Sequence, residues 1–122
     1  MSARTIHFFF VMRNQIKLYH WQTAVYSRHK ATDDAVSKLD EHIDRYVEVY
    51  AGKYGRSRLG AGTNKIELVN MSEGSIVKFV KTCIAYLGGE ALRLGERDTD
   101  LASIRDDMVA DLNQLLYLFT LK

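Results

Sequence analysis

Apolar side chains recur at intervals of three and four residues in four separate segments of the chain. This spacing places them along one side of an α-helix and differs from the strict alternation of a half-buried strand. The pattern therefore predicts four helices, each with an apolar stripe facing a shared core. The predicted core positions are Ile6, Phe9, Met12, Ile16, Tyr19 and Thr23 in the first helix; Val36, Leu39, Ile43, Tyr46, Tyr50 and Tyr54 in the second; Ile76, Val80, Cys83, Leu87, Ala91 and Leu94 in the third; and Leu101, Ile104, Met108, Leu112, Leu115 and Phe119 in the fourth.

Two of the three breaks between these segments are short. Ser27–Thr32 predicts a short link before the second helix, with Thr32 or Asp33 as the helix cap. Gly95 and Asp98 predict the end of the third helix and the cap of the fourth. Short links make helices one and two, and helices three and four, antiparallel neighbours.

The remaining break is long. Glycines mark a loop from residue 55 to about Met71, and Ser72 is predicted to cap the third helix. Gly88 and Gly89 lie inside the third periodic segment and predict a kink or close packing there. A single long connection between helices two and three is typical of the ferritin-like four-helix bundle. We therefore expect an all-α domain of this kind that spans residues 1–122.

The amino-acid composition limits the class of protein and the cellular compartment that we expect. The chain has 122 residues, 47% of them hydrophobic, and no proline, which excludes disorder and favours long helices. Cys83 is the only cysteine, so an internal disulfide is excluded and a reducing compartment is expected. The apolar run Ile6–Met12 is too short to cross a bilayer. These features predict a cytoplasmic protein with no membrane association.

The second helix carries an acidic side. Its members follow one another at intervals of three or four residues and are Asp33, Ser37, Glu41, Asp44 and Glu48. An acidic side is usually a solvated surface, and charge pattern alone favours that interpretation. Two histidines favour a metal site over a solvated surface, because His29 lies one turn before Asp33 and the short link can bring His20 beside His29. Imidazole with carboxylate suits iron, manganese or zinc. His7 and His42 are expected to be ordinary packed or surface histidines.

These groups cannot form one metal centre within a single chain. Asp44 and Glu48 are one turn apart and can hold one ion, as can His29 and Asp33. However, Asp33 and Asp44 are separated by roughly 16 Å along a helix that rises 1.5 Å per residue. The two half-sites can meet only if a second copy lays its helix antiparallel to this one about a two-fold axis.

The same residues resemble the ferroxidase signature of the Dps family, the miniferritins or DNA-binding proteins from starved cells. The resemblance rests on Tyr19-His20-Trp21, His29-x-x-x-Asp33 and Asp44-x-x-x-Glu48. Residues 42–55 and 98–119 also resemble that family's second and fourth helices, whereas residues 56–95 do so weakly.

The resemblance implies a ferroxidase that binds two iron ions at a two-fold interface. Its ligands are implied to be His20, His29 and Asp33 of one subunit with Asp44 and Glu48 of its neighbour. Peroxide or oxygen would oxidise Fe(II), and the ferric mineral would be stored in a shell of twelve subunits, with zinc or manganese as substitute metals. Trp21 matches a tryptophan beside the site, where radical quenching and plain interhelix packing are equally open.

The chain departs from the family pattern in three ways. The link from His20 to His29 is three residues shorter, which predicts a displaced His20. The chain is shorter than typical members, and it lacks a lysine-rich N-terminal tail for DNA. Basic residues of the long loop are candidate phosphate contacts, although a solvated loop is the favoured interpretation. These residues are Lys53, Arg56, Arg58 and Lys65.

Two other functions remain open at this point. One is a non-enzymatic Dps-like oligomer, structural or associated with nucleic acid, that keeps a vestigial metal site. The other is an unrelated helical interaction module whose acidic side is only solvated.

Overall fold

The structure is a computed structural model that describes residues 2–122, apart from the side chain of Ser2. These residues form four α-helices and one short 3-10 helix, with no strand among them. The elements are α1 (Ser2–Gln22), α2 (Tyr26–Tyr54), α3 (Ser75–Gly88), the 3-10 helix (Glu90–Leu92) and α4 (Thr99–Leu118). The predicted all-α class is confirmed.

The helices form a four-helix bundle whose neighbours follow the predicted order. Helix α1 packs against α2 and α3, and α4 packs against the same two helices. The crossover (residues 55–74) runs along α1 from its start to its end. The His7 Nε2 to Lys65 O distance is 2.8 Å near the start, and farther on the Gln15 amide donates to the carbonyl of Val69 at 2.9 Å. Helix α3 therefore runs parallel to α2 and antiparallel to α1.

The core sits where the predicted apolar stripes meet. Met12, Leu39, Val80 and Leu112, one from each helix, are all 0% exposed. Four predicted positions lie outside the core: Ile6, which is half-buried near the start of α1, Thr23, which lies beyond α1, the exposed Tyr54, and the exposed Ala91, which follows α3. Leu94 also follows α3 but packs against the core.

The link between α1 and α2 differs from the prediction. It comprises only residues 23–25, because α2 begins at Tyr26 rather than after Ser27–Thr32. The Thr23 hydroxyl oxygen accepts the Val25 N–H at 3.1 Å and stabilises the turn. Thr32 is not a cap: it lies within α2, and its hydroxyl donates to the Arg28 carbonyl at 2.7 Å.

Helix α3 also ends earlier than its apolar period indicates. The backbone leaves the helix at Gly88 and becomes extended at Gly89, so the glycine pair terminates the helix instead of kinking it. The prediction of Ser72 as the cap is wrong, because Gly74 occupies the cap position of α3. Ser72 and Ser75 instead exchange hydrogen bonds between backbone N–H and side-chain hydroxyl at 2.7 and 3.1 Å, which stabilise the turn before α3. No helix among residues 2–122 is long and apolar enough to cross a membrane.

Candidate metal centre

The short link brings the two predicted histidines into direct contact. His20 lies in the last turn of α1 and His29 in the first turns of α2. Their rings stack with centroids 3.9 Å apart and planes inclined by 15°. The short link pairs the two rings because only residues 23–25 separate the end of α1 from the start of α2.

Hydrogen bonds fix which nitrogen of each ring carries the proton. His20 Nδ1 lies 2.7 Å from the His29 carbonyl oxygen, and His29 Nδ1 lies 2.9 Å from the His20 carbonyl oxygen. A carbonyl only accepts, so both Nδ1 atoms donate. Thr32 Oγ1 lies 3.0 Å from His20 Nδ1 and accepts as well, because its own hydrogen is directed to backbone carbonyls. In the neutral form of each ring, the nitrogen without a proton is therefore Nε2.

An unprotonated Nε2 with a hydrogen-bonded Nδ1 is the usual state of a metal-binding histidine. His29 is exposed and His20 is 5% exposed. Every buried side-chain nitrogen and oxygen of the described residues has a hydrogen-bond partner. His20 Nε2 has none, so this atom reaches the surface. The Nε2 atom of the His20 ring is therefore not fully enclosed by the chain.

The three predicted carboxylates are on the surface of α2. Asp33, Asp44 and Glu48 are all exposed, and none has a side-chain partner among the described residues. Asp44 and Glu48 lie beside a groove of about 470 Å³ between α1 and α2, whose apolar wall includes Phe10. Phe10 is 51% exposed. This groove places the second half-site on the same side of the bundle as an apolar surface.

The two half-sites stay apart within one chain. Residues 2–122 contain no cluster of three histidine, cysteine or acidic side chains that could hold a metal ion. Helix α2 is continuous from Tyr26 to Tyr54, so Asp33 and Asp44 are as far apart along it as the sequence predicts. Cys83 adds no ligand, since burial raises the pKa of its thiol to about 12.

Trp21 lies next to the histidine pair but does not pack between helices of its own chain. Its side chain is 67% exposed, and the Lys17 ammonium lies 5.3 Å from its ring centroid. Of its two interpretations, interhelix packing within the chain is wrong. His7 and His42 are bonded elsewhere, as expected, with His42 Nδ1 2.6 Å from Asp111.

The predicted phosphate contacts fall into two groups. Lys53 is engaged, because its ammonium lies 2.9 Å from Asp98 and 2.8 Å from Asp100. Hydrogen bonds to Asp100 and Asp98 raise its pKa. The other three cations, Arg56, Arg58 and Lys65, are exposed and have no carboxylate partner among the described residues. Only these three can contact phosphate without breaking an ion pair.

Asp98 occupies the N-cap position of α4, as predicted, and it is also the centre of the cluster that engages Lys53. Its carboxylate accepts hydrogen bonds from the Tyr54 hydroxyl at 2.5 Å and the Gly95 N–H at 2.8 Å. The Tyr54 bond, then the Gly95 and Lys53 bonds, lower the pKa of Asp98 to about 2. The cluster therefore ties the end of α2 to the start of α4, and the Asp98 carboxylate makes no cap hydrogen bond to the α4 backbone.

Comparison with known proteins places the chain in one family. A family model described as a family of unknown function, DUF5856, matches residues 20–119. The chain belongs to this family. No curated protein and no solved structure matches it. The part that matches DUF5856 begins at His20 and includes both half-sites, so the candidate metal centre lies within the DUF5856 domain.

Proposed function

We propose that this DUF5856 member is a Dps-like, iron-binding ferroxidase whose di-iron site forms between two copies of the chain. The observation that carries the proposal is the histidine pair, in which two stacked imidazoles each present an unprotonated Nε2. Asp33 follows His29 by one turn, so one copy would supply two imidazoles and one carboxylate once a second copy completes the site, although residues 2–122 alone hold no such cluster of three. Such a donor set suits Fe(II).

A two-fold axis supplies the missing carboxylates from the second copy. The residue pairs 29/48, 33/44 and 37/40 of α2 share one midpoint, between residues 38 and 39. Two antiparallel copies of α2 related by an axis at that midpoint bring His29 opposite Glu48 and Asp33 opposite Asp44 at the same time. A single alignment of the two α2 helices would therefore complete two identical sites. The crossover bundle supports the proposal, because it is the topology of ferritin-like proteins.

The chain's own side chains would perform two tasks in this reaction. The imidazoles and carboxylates would hold two Fe(II) ions close together, and the carboxylates would favour Fe(III) once it has formed. Hydrogen peroxide accepts one electron from each Fe(II) and, with two protons, becomes two water molecules; oxygen is the alternative oxidant. The ferric product would be stored in a shell, for which twelve subunits in the cytoplasm are proposed by likeness to Dps proteins.

Ferrous titration with an absorbance readout tests the proposal. Wild-type protein should oxidise Fe(II) faster than the buffer does, and Asp44→Ala should reduce the rate to background. Asp34→Ala is the matched control, because Asp34 is an exposed acid of the same helix that lines surface depressions beside Leu118, on the α4 side. Equal oxidation by wild type and Asp44→Ala would reject the assignment. Light scattering adds a second check, since a monomer contradicts an intersubunit site.

A second candidate function is a non-enzymatic oligomer that contacts nucleic acid. The exposed and unpaired Arg56, Arg58 and Lys65 favour it. This function predicts assembly without metal-dependent oxidation and an affinity for DNA that falls with salt. Removal of the three cations should then weaken DNA binding and leave Fe(II) oxidation unchanged.

A further inference from the structure

A connected cluster of polar side chains lies beside the histidine pair, where the ends of all four helices meet. We call it the terminal cluster, and its members are Tyr19, Thr23, Arg28 and Glu73. Tyr19 and Arg28 immediately precede His20 and His29 in the sequence. A change in the position of either residue is therefore transmitted directly to an adjacent metal-ligand candidate.

Arg28 links the start of α2 to the other three helices. Its Nη1 donates to the Tyr19 hydroxyl at 3.1 Å and to the Glu73 carbonyl at 2.7 Å. Its Nη2 donates to the Phe119 carbonyl at 3.3 Å, and its guanidinium lies 4.6 Å from the Phe119 ring centroid. The Arg28 side chain is 16% exposed, so water cannot easily replace these contacts. The backbone before His29 is thereby held against α1, the crossover and α4.

Glu73 holds the turn between the two histidines. Its carboxylate accepts hydrogen bonds from the Tyr19 hydroxyl and, at 2.9 and 3.0 Å, from the Thr23 hydroxyl. Burial, and then the bond to Glu73, raise the pKa of Tyr19, so its hydroxyl stays protonated and donates. The Thr23 oxygen in turn accepts the Val25 N–H at 3.1 Å. One carboxylate from the crossover therefore fixes both the last turn of α1 and the link.

We propose that Glu73 and Arg28 are positioning residues that hold His20 and His29 stacked, with both Nδ1 atoms bonded to backbone carbonyls, before a metal ion arrives. The purpose of this arrangement, which is metal binding, rests on the proposed function, whereas the contacts that hold the two histidines do not. Thr32 links the terminal cluster to the histidine pair. Its hydroxyl donates to the Arg28 carbonyl at 2.7 Å, and its Oγ1 lies 3.0 Å from His20 Nδ1. A preorganised ligand pair binds metal more tightly than a mobile one.

Long-range proton–nitrogen NMR on the metal-free full chain tests the geometry. Wild-type His20 and His29 should both show protonated Nδ1 and unprotonated Nε2. Glu73→Gln should remove this pattern from at least one of them. Thr23→Val, a milder change near the surface, should do the same if Glu73→Gln does not fold. Asp111→Asn is the matched control, because it removes a carboxylate from His42 on the α2–α4 side.

Zn(II) calorimetry on the same proteins separates this inference from the proposed function. Zn(II) affinity should fall about tenfold or more in Glu73→Gln, as is usual when the support of a metal ligand is removed. It should stay at the wild-type value in Asp111→Asn. If folded Glu73→Gln and Thr23→Val keep the wild-type NMR pattern, the positioning role is overturned. If wild-type protein shows the pattern and binds no Zn(II), the metal-binding function fails while the positioning role stands on the NMR result.

Discussion

Mixing two inactive variants tests directly whether the site forms between copies of the chain. Asp33→Ala removes a carboxylate from the histidine half-site, and Asp44→Ala removes one from the other half-site. Both residues are exposed on α2 and have no partner among the described residues. Alanine is also the best helix former, so neither variant should destabilise the bundle.

The activity that the mixture should recover follows from the length of α2, because that length prevents one chain from completing a site. His29 and Glu48 are roughly 28 Å apart along the helix, and Asp33 and Asp44 roughly 16 Å. The donors of a two-metal site span only about 8 Å, from metal–oxygen bonds of about 2 Å and a metal separation of about 4 Å. One chain therefore cannot complete a site. In a two-fold dimer of the two variants, one site carries both substitutions and the other carries none. Random pairing of equal amounts thus restores about a quarter of the wild-type activity.

The assay is the initial rate of Fe(II) oxidation after the two variants are unfolded together and refolded. Each variant refolded alone supplies the baseline, and refolded wild type supplies the upper limit. A mixture that never rises above the baseline, although mass measurement shows mixed dimers, would refute the two-fold arrangement. A rate above one half of wild type would also refute it, because random pairing cannot produce so many intact sites.

Three further predictions concern stability. Asp98→Asn should lower the midpoint of denaturant unfolding at neutral pH, and the difference from wild type should vanish in acid. Folding lowers the pKa of Asp98 from 3.8 to about 2. The stability that Asp98 contributes is therefore present above pH 3.8 and is lost as the pH falls through about 2. Leu112→Ala should cost about 2–5 kcal/mol in the free energy of unfolding, since Leu112 is 0% exposed and the change leaves a cavity; a cost below 1 kcal/mol would contradict the buried position. Gly55→Ala should cost about 1–3 kcal/mol, because Gly55 has φ +94° and no atom lies within 4 Å of an added Cβ, so the cost is backbone strain alone; unchanged thermal unfolding would contradict this geometry.

The four helices and most of the core could be predicted from the sequence because helical periodicity is a local property. Met12, Leu39, Val80 and Leu112 are buried as their spacing predicts. The helix ends were less predictable, since they depend on short turns. The hydroxyl of Thr23 holds a link of three residues, and Thr32, predicted as a cap, lies one and a half turns inside α2.

The candidate site likewise has features that the sequence predicts and features that only the tertiary structure decides. The sequence alone indicates the candidate metal-binding residues. It also predicts that one helix separates them too widely to form one centre, because the rise per residue of a helix is constant. Only the tertiary structure decides that His20 and His29 stack, which nitrogens they present, and that Glu73 and Arg28 surround the turn between them. Glu73 is far from both histidines in the sequence, and the crossover brings it there. No local pattern encodes a contact of that kind, since it depends on how the whole bundle closes.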